Sequence, residues 1–259
     1  TWLPTPRNRR FRRALHVLDD VVLRIIESRR RTGEDHGDLL SMLLAARDEE
    51  TGLGMSDRQL RDEVMTFVLA GHETTAVTLA WTWSLLCRHP EIDQRLRDEV
   101  ATAIGHRTPT FGDLPALRYV RMIVDEALRL YPPLWAFGRQ AVAEDRIDAY
   151  RIAAGAPVNL CPWLTHHDPA FWPDPMRFDP ERFTPERVAA RHRYAYLPFS
   201  GGPRLCIGNE FALMEATLLV AMIAQRYRIE LVEPGREVVP EVRLTIRPRG
   251  GLPVRVRAA

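Results

Sequence analysis

One cysteine of this chain lies in a setting that favours a reactive or metal-binding thiolate. Cys206 follows a loop with two adjacent glycines and comes just before an apolar stretch predicted to be a helix. The free N–H groups and the partial positive charge of a helix N-terminus both stabilise a thiolate. The glycines, with Gly208, let the backbone approach a flat, bulky group, and Arg204 offers a fixed cation to a carboxylate. A buried, inert cysteine is the alternative on these residues alone.

A second polar cluster interrupts a long apolar segment, Asp57 to about Arg88, which is predicted to be a buried central helix. The cluster runs from Ala70 through Gly71, His72 and Glu73 to Thr74 and Thr75. A glycine inside a helix costs roughly 1 kcal/mol relative to alanine, and a buried carboxylate costs more unless it is paired. Threonine hydroxyls can also distort a helix by bonding to the preceding turn. The cluster therefore predicts a functional site, or else a kinked helix that faces a polar cavity.

A third pattern is a glutamate and an arginine that share one face of a predicted apolar helix. Glu126 and Arg129 are three residues apart and can pair. Most such pairs are solvated surface salt bridges. Here the surrounding helix, Tyr119 to Leu130, is rich in large apolar residues, so we expect the pair to be partly buried. A buried ion pair needs a further partner for its remaining hydrogen-bonding groups.

The loop around Cys206 resembles the cysteine loop of the cytochromes P450. From Phe199 to Gly208 the sequence reads Phe, two residues, Gly, one residue, Arg, one residue, Cys, one residue, Gly, which matches every defining position of that loop. The resemblance implies a mainly α-helical P450 fold with a minor β-sheet, shortened at its N-terminal end. It also implies a haem b cofactor, with Cys206 as the axial ligand of the iron and with Phe199 and Arg204 beside the haem.

The other two patterns resemble further parts of the same family. In its oxygen-activating helix, Gly71 would make room for oxygen and substrate above the haem, and Glu73 and Thr74 would be the acid–alcohol pair that delivers protons. Phe178 to Phe183 resembles the segment that supplies a third member, Arg182, to a structural triad with Glu126 and Arg129.

Arg139, which follows Pro132 and Pro133, resembles an arginine that commonly binds a haem propionate; an ordinary strand arginine is the alternative. Residues 166–169 and 172–175 resemble the irregular meander of the family, where arginine is more usual than His167.

This resemblance implies a monooxygenase that inserts one atom of dioxygen into an apolar organic substrate. A thiolate ligand donates electron density to haem iron and favours cleavage of dioxygen. Electrons would come from a separate donor protein, a ferredoxin or a flavoprotein reductase, because the chain has no flavin or nicotinamide fingerprint. The basic residues Arg191, His192 and Arg193, which precede the cysteine loop, could face that partner or could be an ordinary solvated loop. A haem-thiolate peroxygenase or isomerase, or a non-catalytic fragment, is the competing interpretation.

The helices and strands that would position these residues are predicted from the spacing of apolar residues and from the glycines and prolines that interrupt it. Residues 1–138 read as helical, residues 139–198 as strands and a proline-rich meander, and residues 199–259 as the cysteine loop, a helix and terminal strands. The terminal strands are expected at Val242–Ile246 and Val254–Val256. Residues 134–137 are candidates for lining a substrate pocket.

The amino-acid composition indicates which classes of partner and cellular compartment are expected. The formal net charge of +2 gives no sign of nucleic-acid binding. Three widely spaced cysteines favour a reducing compartment, so we expect a soluble cytoplasmic protein of bacterial type. The chain begins at Thr1 and not at a methionine, so a membrane anchor before it remains an alternative. Cys161 with His166 and His167 fits no standard zinc spacing, and Cys87 is expected in the core.

Overall fold

The computed structural model describes residues 2–259, and these form two compact units. One unit ends at His72, and the other extends from Glu73 to Ala259. The boundary lies inside a single long helix, α3, which spans Asp57–Leu86. The predicted division at residues 138 and 198 concerns parts of one domain and stays a prediction.

The first unit consists of α1 (Pro6–Thr32), α2 (Leu39–Ala45) and the beginning of α3. Helix α1 begins at Pro6, where the Thr5 hydroxyl accepts a hydrogen bond from the Asn8 N–H group and proline occupies the first turn. Ser56 caps α3: its hydroxyl accepts a hydrogen bond from the Gln59 N–H group at 3.3 Å. A small core closes this unit, formed by Val22, Ile26, Leu60 and Met65.

The second unit has a helical core made mainly by three helices. These are α4 (Pro90–Ala103), α5 (Arg118–Leu130) and α8 (Asn209–Arg226), and their fully buried residues include Leu96, Val120, Ile123 and Val220. Two short helices, α6 (Pro162–His166) and α7 (Pro185–Ala190), lie in the proline-rich meander. Short 3-10 turns span Phe111–Ala116, Pro180–Phe183, Arg193–Ala195 and Gly202–Arg204.

Four antiparallel strand pairs make up the β-structure of this unit. Strand β1 (Phe137–Gln140) pairs with β4 (Pro157–Leu160), and β2 (Asp145–Ile147) with β3 (Tyr150–Ile152). Strand β5 (Tyr227–Leu231) pairs with β8 (Val254–Ala258), and β6 (Pro240–Val242) with β7 (Ile246–Pro248). The predicted class, mainly helical with a minor sheet content, is confirmed.

The prediction of one strand from Val242 to Ile246 is wrong. The two end residues face each other as the last pair of a hairpin, and the chain turns between them. Leu244 at the tip of the turn is 78% exposed, so its apolar character is not used for packing. The Arg243 N–H group closes the turn on the Thr245 carbonyl at 3.0 Å. Alternating apolar residues are compatible with a strand and with this turn. The conformation is therefore determined by the contacts that the turn makes.

The expectation that α3 is buried along its whole apolar stretch is also wrong. The helix is buried almost continuously from Val77 to Leu86, but Val68 and Leu69 are 46% and 57% exposed and residues 70–72 are exposed as well. None of the helices in the described part of the chain is long and apolar enough to cross a membrane.

Candidate active site

The loop that carries Cys206 folds back on itself before α8 begins. The Cys206 N–H group donates to the Phe199 carbonyl at 3.0 Å, which closes the loop across its full length. Ser200 and Gly202 have positive φ angles of 66° and 68°, so the backbone reverses direction at these two positions. The loop thereby holds the backbone of Cys206 three residues before the first residue of α8.

The side chain of Cys206 remains exposed, and apolar side chains surround it in the sequence. Leu205 is 51% exposed, Ile207 is 85% exposed and Phe211 is 64% exposed. A Cβ atom at Gly208 would lie 4.0 Å from the Cys206 sulfur, in ordinary van der Waals contact, so this glycine is a close neighbour of the thiol. Exposed apolar side chains beside an exposed thiol suit a flat apolar group with a metal at its centre. The residues present therefore fit a haem.

Two arginines offer positive charge near this loop. In β1, the guanidinium group of Arg139 donates to the Ser200 hydroxyl at 3.0 Å and to the Gly138 carbonyl at 2.9 Å. The structure thus joins Arg139 to the cysteine loop. Arg204 lies within the loop and is exposed. Neither arginine has a carboxylate partner within 4.0 Å among residues 2–259, so both charges are available to the carboxylates of a ligand.

The polar cluster on α3 is held by two side chains that sequence reasoning missed. Glu73 accepts a hydrogen bond of 2.7 Å from the hydroxyl of Thr245, which is 4% exposed. Thr75 donates to Glu215 of α8 at 3.3 Å. Glu215 is the seventh residue of α8 and lies about 9 Å along the helix axis from its first residue. These bonds connect Glu73 and Thr75 to the hairpin turn and to the helix that follows Cys206.

The other two α3 residues predicted for the site can be described from their own surroundings. The Thr74 carbonyl accepts a hydrogen bond of 2.9 Å from the Thr78 hydroxyl, one turn further along the helix. Gly71 belongs to the first unit and is exposed, and a Cβ atom there would meet no described atom within 4 Å. The helix surface at Gly71 is therefore open within this part of the chain.

The predicted ion pair on α5 is completely buried, and the third member predicted for it is present. Arg129 binds Glu126 through two bonds of 2.6 and 2.8 Å, and both side chains have no exposed surface. The Arg182 guanidinium lies 3.5 Å from the same carboxylate, in ion-pair range. Burial raises the pKa of Glu126, while the bonds from Arg129 oppose that shift. The expected proximity of Glu126, Arg129 and Arg182 is confirmed.

The meander histidines are engaged by the backbone. His166 is fully buried and bonds to backbone groups of Arg129 and Leu197, and the His167 ring bonds to the Trp163 carbonyl at 2.7 Å. The Cys161 thiol donates to the Trp135 carbonyl at 3.2 Å. Within residues 2–259, no group of three or more His, Cys, Asp or Glu side chains could hold a metal ion.

The basic segment before the cysteine loop is only partly available to a partner. Arg191 is half-buried, with its guanidinium 4.3 Å from the Trp172 ring centre and 4.7 Å from that of Phe183. Arg191 therefore packs in the meander rather than facing a partner. His192 and Arg193 are exposed, and the docking prediction is restricted to these two.

Comparison with known protein families gives one consistent match. The Cytochrome P450 family model matches residues 1–251. The chain belongs to the cytochrome P450 family. It is 46% identical to the cyclooctat-9-en-7-ol 5-monooxygenase of Streptomyces melanosporofaciens and 40% identical to the pentalenene oxygenase of Streptomyces avermitilis, covering 90% and 94% of this P450 chain.

Solved P450 structures agree with the sequence matches. The heme domain of cytochrome P450DA aligns with a TM-score of 0.90 at 36% identity, over 99% of this chain and 57% of that domain. A mutant of the same domain aligns equally well. The chain spans about half the length of its curated relatives, 50% of the cyclooctat-9-en-7-ol 5-monooxygenase and 54% of the pentalenene oxygenase. The family implies a haem cofactor, which the residues around Cys206 fit.

Proposed function

We propose that this P450 chain contributes the thiolate ligand and the proton-delivering residues of a monooxygenase. The observation that carries the proposal is the exposed Cys206 thiol, held at the start of α8 by a loop whose ends are bonded together. Cys206 would bind the iron of haem b. Arg204 and Arg139 would bind the haem carboxylates, and Phe199 would pack beside the ring. A haem with a thiolate ligand supplies the capacity to bind and reduce dioxygen when it is bound.

Protons for the reaction would pass through the polar cluster on α3. Glu73 and Thr74 are consecutive residues of α3, and a carboxyl and a hydroxyl group at these positions could act in succession on one proton path. The Thr245 hydroxyl bond to Glu73 orients the carboxylate. Gly71, whose helix surface is open, would leave space for oxygen and substrate.

The substrate would be a small apolar organic molecule, and the electrons would come from a separate ferredoxin or flavoprotein reductase. Two relatives, the pentalenene oxygenase and the cyclooctat-9-en-7-ol 5-monooxygenase, are named for organic substrates and support this proposal. Leu134, Trp135, Ala136 and Phe137 are the residues we propose for the pocket wall. Leu134 is 39% exposed and is thus accessible to a ligand.

The ligand assignment is tested by the absorption spectrum of the haem-reconstituted protein, reduced and exposed to carbon monoxide. We expect the red-shifted Soret band of thiolate ligation. The three cysteines offer matched variants, because Cys87 and Cys161 are half-buried and donate to backbone carbonyls. Cys87→Ser and Cys161→Ser should keep the band, and Cys206→Ser should lose it. A band that persists in Cys206→Ser would exclude this cysteine as the ligand.

The role of Thr74 is tested by Thr74→Ala in the presence of an electron donor. We expect an unchanged haem spectrum, with reducing equivalents diverted into hydrogen peroxide because protons are no longer delivered in order. Thr66→Ala is the matched control, since Thr66 is an exposed threonine of the same helix whose hydroxyl bonds only to the preceding turn. Equal peroxide yields from Thr74→Ala and from the unchanged protein would remove Thr74 from the proposal.

A further inference from the structure

His166 is a buried histidine that the proposed chemistry does not use. It is the last residue of α6 and has no exposed surface. Its Nε2 atom lies 2.8 Å from the Leu197 backbone nitrogen, and its Nδ1 atom lies 3.2 Å from the Arg129 carbonyl. The ring therefore bridges the end of α5 and the segment that leads into the cysteine loop.

The two partners determine the protonation state of the ring. A backbone N–H group can only donate and a carbonyl can only accept, so Nε2 must accept from Leu197 and Nδ1 must carry the proton. A doubly protonated ring would lose its acceptor and would leave the Leu197 N–H group without its partner. Burial lowers the pKa of His166 to about 3, which agrees with a neutral ring at physiological pH.

A continuous series of bonds leads from the buried ion pair to the backbone of Cys206. Arg129, which is bonded to Glu126, also donates to the His166 carbonyl at 2.7 Å. The His166 ring holds the Leu197 N–H group, and the Leu197 carbonyl accepts from the Ser200 N–H group at 3.2 Å. This turn presents the Phe199 carbonyl to the Cys206 N–H group.

We propose that His166 is a positioning residue for the thiolate: its neutral ring holds the turn Leu197–Ser200 in place and thereby fixes the direction in which Cys206 meets its ligand. The inference rests on the proposed function in one respect, namely that Cys206 binds haem iron. It adds a residue of the meander, and a specific tautomer of that residue, to the machinery that holds the sulfur.

Two substitutions of His166 test the two hydrogen bonds of its ring one at a time. The Gln side chain of His166→Gln reaches the position of Nε2 with an oxygen that can accept from Leu197. The shorter Asn side chain of His166→Asn reaches only the position of Nδ1, so it can donate to Arg129 and leaves the Leu197 N–H group unpaired. His167→Asn is the matched control, because its ring bonds to a carbonyl of its own short helix.

The first measurement is the spectrum of the haem-reconstituted protein, reduced and exposed to carbon monoxide. We expect His166→Gln and His167→Asn to keep the Soret band of thiolate ligation. In His166→Asn most of that band should be replaced by the band of a haem without a thiolate ligand. Hydrogen exchange supplies a readout that needs no carbon monoxide. The Leu197 and Cys206 amides should exchange about tenfold faster in His166→Asn and at the unchanged rate in His166→Gln.

A general loss of stability is separated from positioning by Val220→Ala, a variant in the fully buried core of α8. Spectra are compared at urea concentrations that place each variant equally far below its unfolding midpoint. We expect Val220→Ala to keep the thiolate band under these matched conditions. A band lost equally in Val220→Ala, or kept in His166→Asn, would overturn the inference and leave the proposed function intact. An unchanged protein without the band would overturn the proposed function, and the inference with it.

Discussion

The buried pair of Glu126 and Arg129 permits a quantitative test by a double-mutant cycle. The perturbations are Glu126→Gln, Arg129→Met and the two together. Both side chains have no exposed surface, and they share two short hydrogen bonds. Either single substitution removes one charge and leaves the other in the protein interior. The double substitution removes both, so the costs of the two single changes should not add.

The expected magnitudes follow from this burial. An arginine cannot release its proton, so Glu126→Gln leaves a permanent buried cation and should cost about 3–5 kcal/mol. Arg129→Met should cost a similar amount, since it also removes a donor from the buried His166 carbonyl, worth about 1–3 kcal/mol. The double variant should be less destabilised than the sum of the two by roughly 2–3 kcal/mol.

The pH dependence distinguishes the two single variants. The pKa of Glu126 is already raised by burial, and removing Arg129 takes away the strongest opposing contact. In Arg129→Met the folded protein therefore binds a proton that the unfolded chain has released, and its stability falls as the pH rises above about 4.5. Glu126→Gln has no titrating group at this position, so its own free energy of unfolding should lack this fall.

Urea unfolding followed by tryptophan emission is the appropriate assay. Five of the six tryptophans lie between Glu73 and Ala259, so the signal reports mainly on the unit that contains the pair. The exposed pair of Arg151 and Glu144, at 2.6 Å, provides the control cycle, for which we expect a coupling below about 1 kcal/mol. Additive costs at Glu126 and Arg129, within about 0.5 kcal/mol, would refute the reasoning.

Three further predictions concern His166, Thr245 and Arg139. The folded pKa of His166 is depressed from 6.5 to about 3, so its contribution to stability is complete above pH 6.5 and lost as the pH falls towards 3. Relative to His166→Gln, the free energy of unfolding of the unchanged protein should fall by on the order of 4 kcal/mol over that interval. Urea unfolding at several pH values measures it, and an equal pH dependence of the two proteins would contradict the prediction. Thr245→Val should raise peroxide yield as Thr74→Ala does, whereas Thr245→Ser should not, because serine keeps the hydroxyl that binds Glu73; equal yields would exclude this role. Arg139→Gln should weaken haem binding about tenfold in a haem-transfer titration, and an unchanged affinity would show that this arginine binds only Ser200.

Local patterns in the sequence predict those parts of the site that depend on near neighbours. The cap at Ser56 is such a part, because its partner, Gln59, is three residues away. Glu126 and Arg129 were paired correctly for the same reason, since one helix turn separates them. The setting of Cys206 could be interpreted because the loop and the following helix adjoin it in sequence.

Contacts between distant segments were not predictable in this way. The bond between Glu73 and Thr245 joins residues 172 positions apart, and nothing in the hairpin sequence indicates that its turn ends beneath α3. The same contact explains why the strand prediction failed at this point, because the turn is held by its partners and not by the alternation of its residues. The sequence around His166 indicates no partner for its ring, because the Leu197 N–H group that the ring binds lies 31 positions further along the chain.

The bonds around the cysteine loop restrain its backbone and leave its sulfur free. Ser200 is held by Arg139 from β1, and Leu197 is held by His166 from α6, so two separate elements restrain the same short turn. Within this turn, the Phe199 carbonyl accepts a hydrogen bond from the Cys206 N–H group and so restrains the backbone of the cysteine. None of these bonds uses the thiol, which stays exposed. A ligand to a metal needs this combination, because a restrained backbone lowers the entropy lost when the metal–sulfur bond forms while the sulfur keeps its full donor capacity.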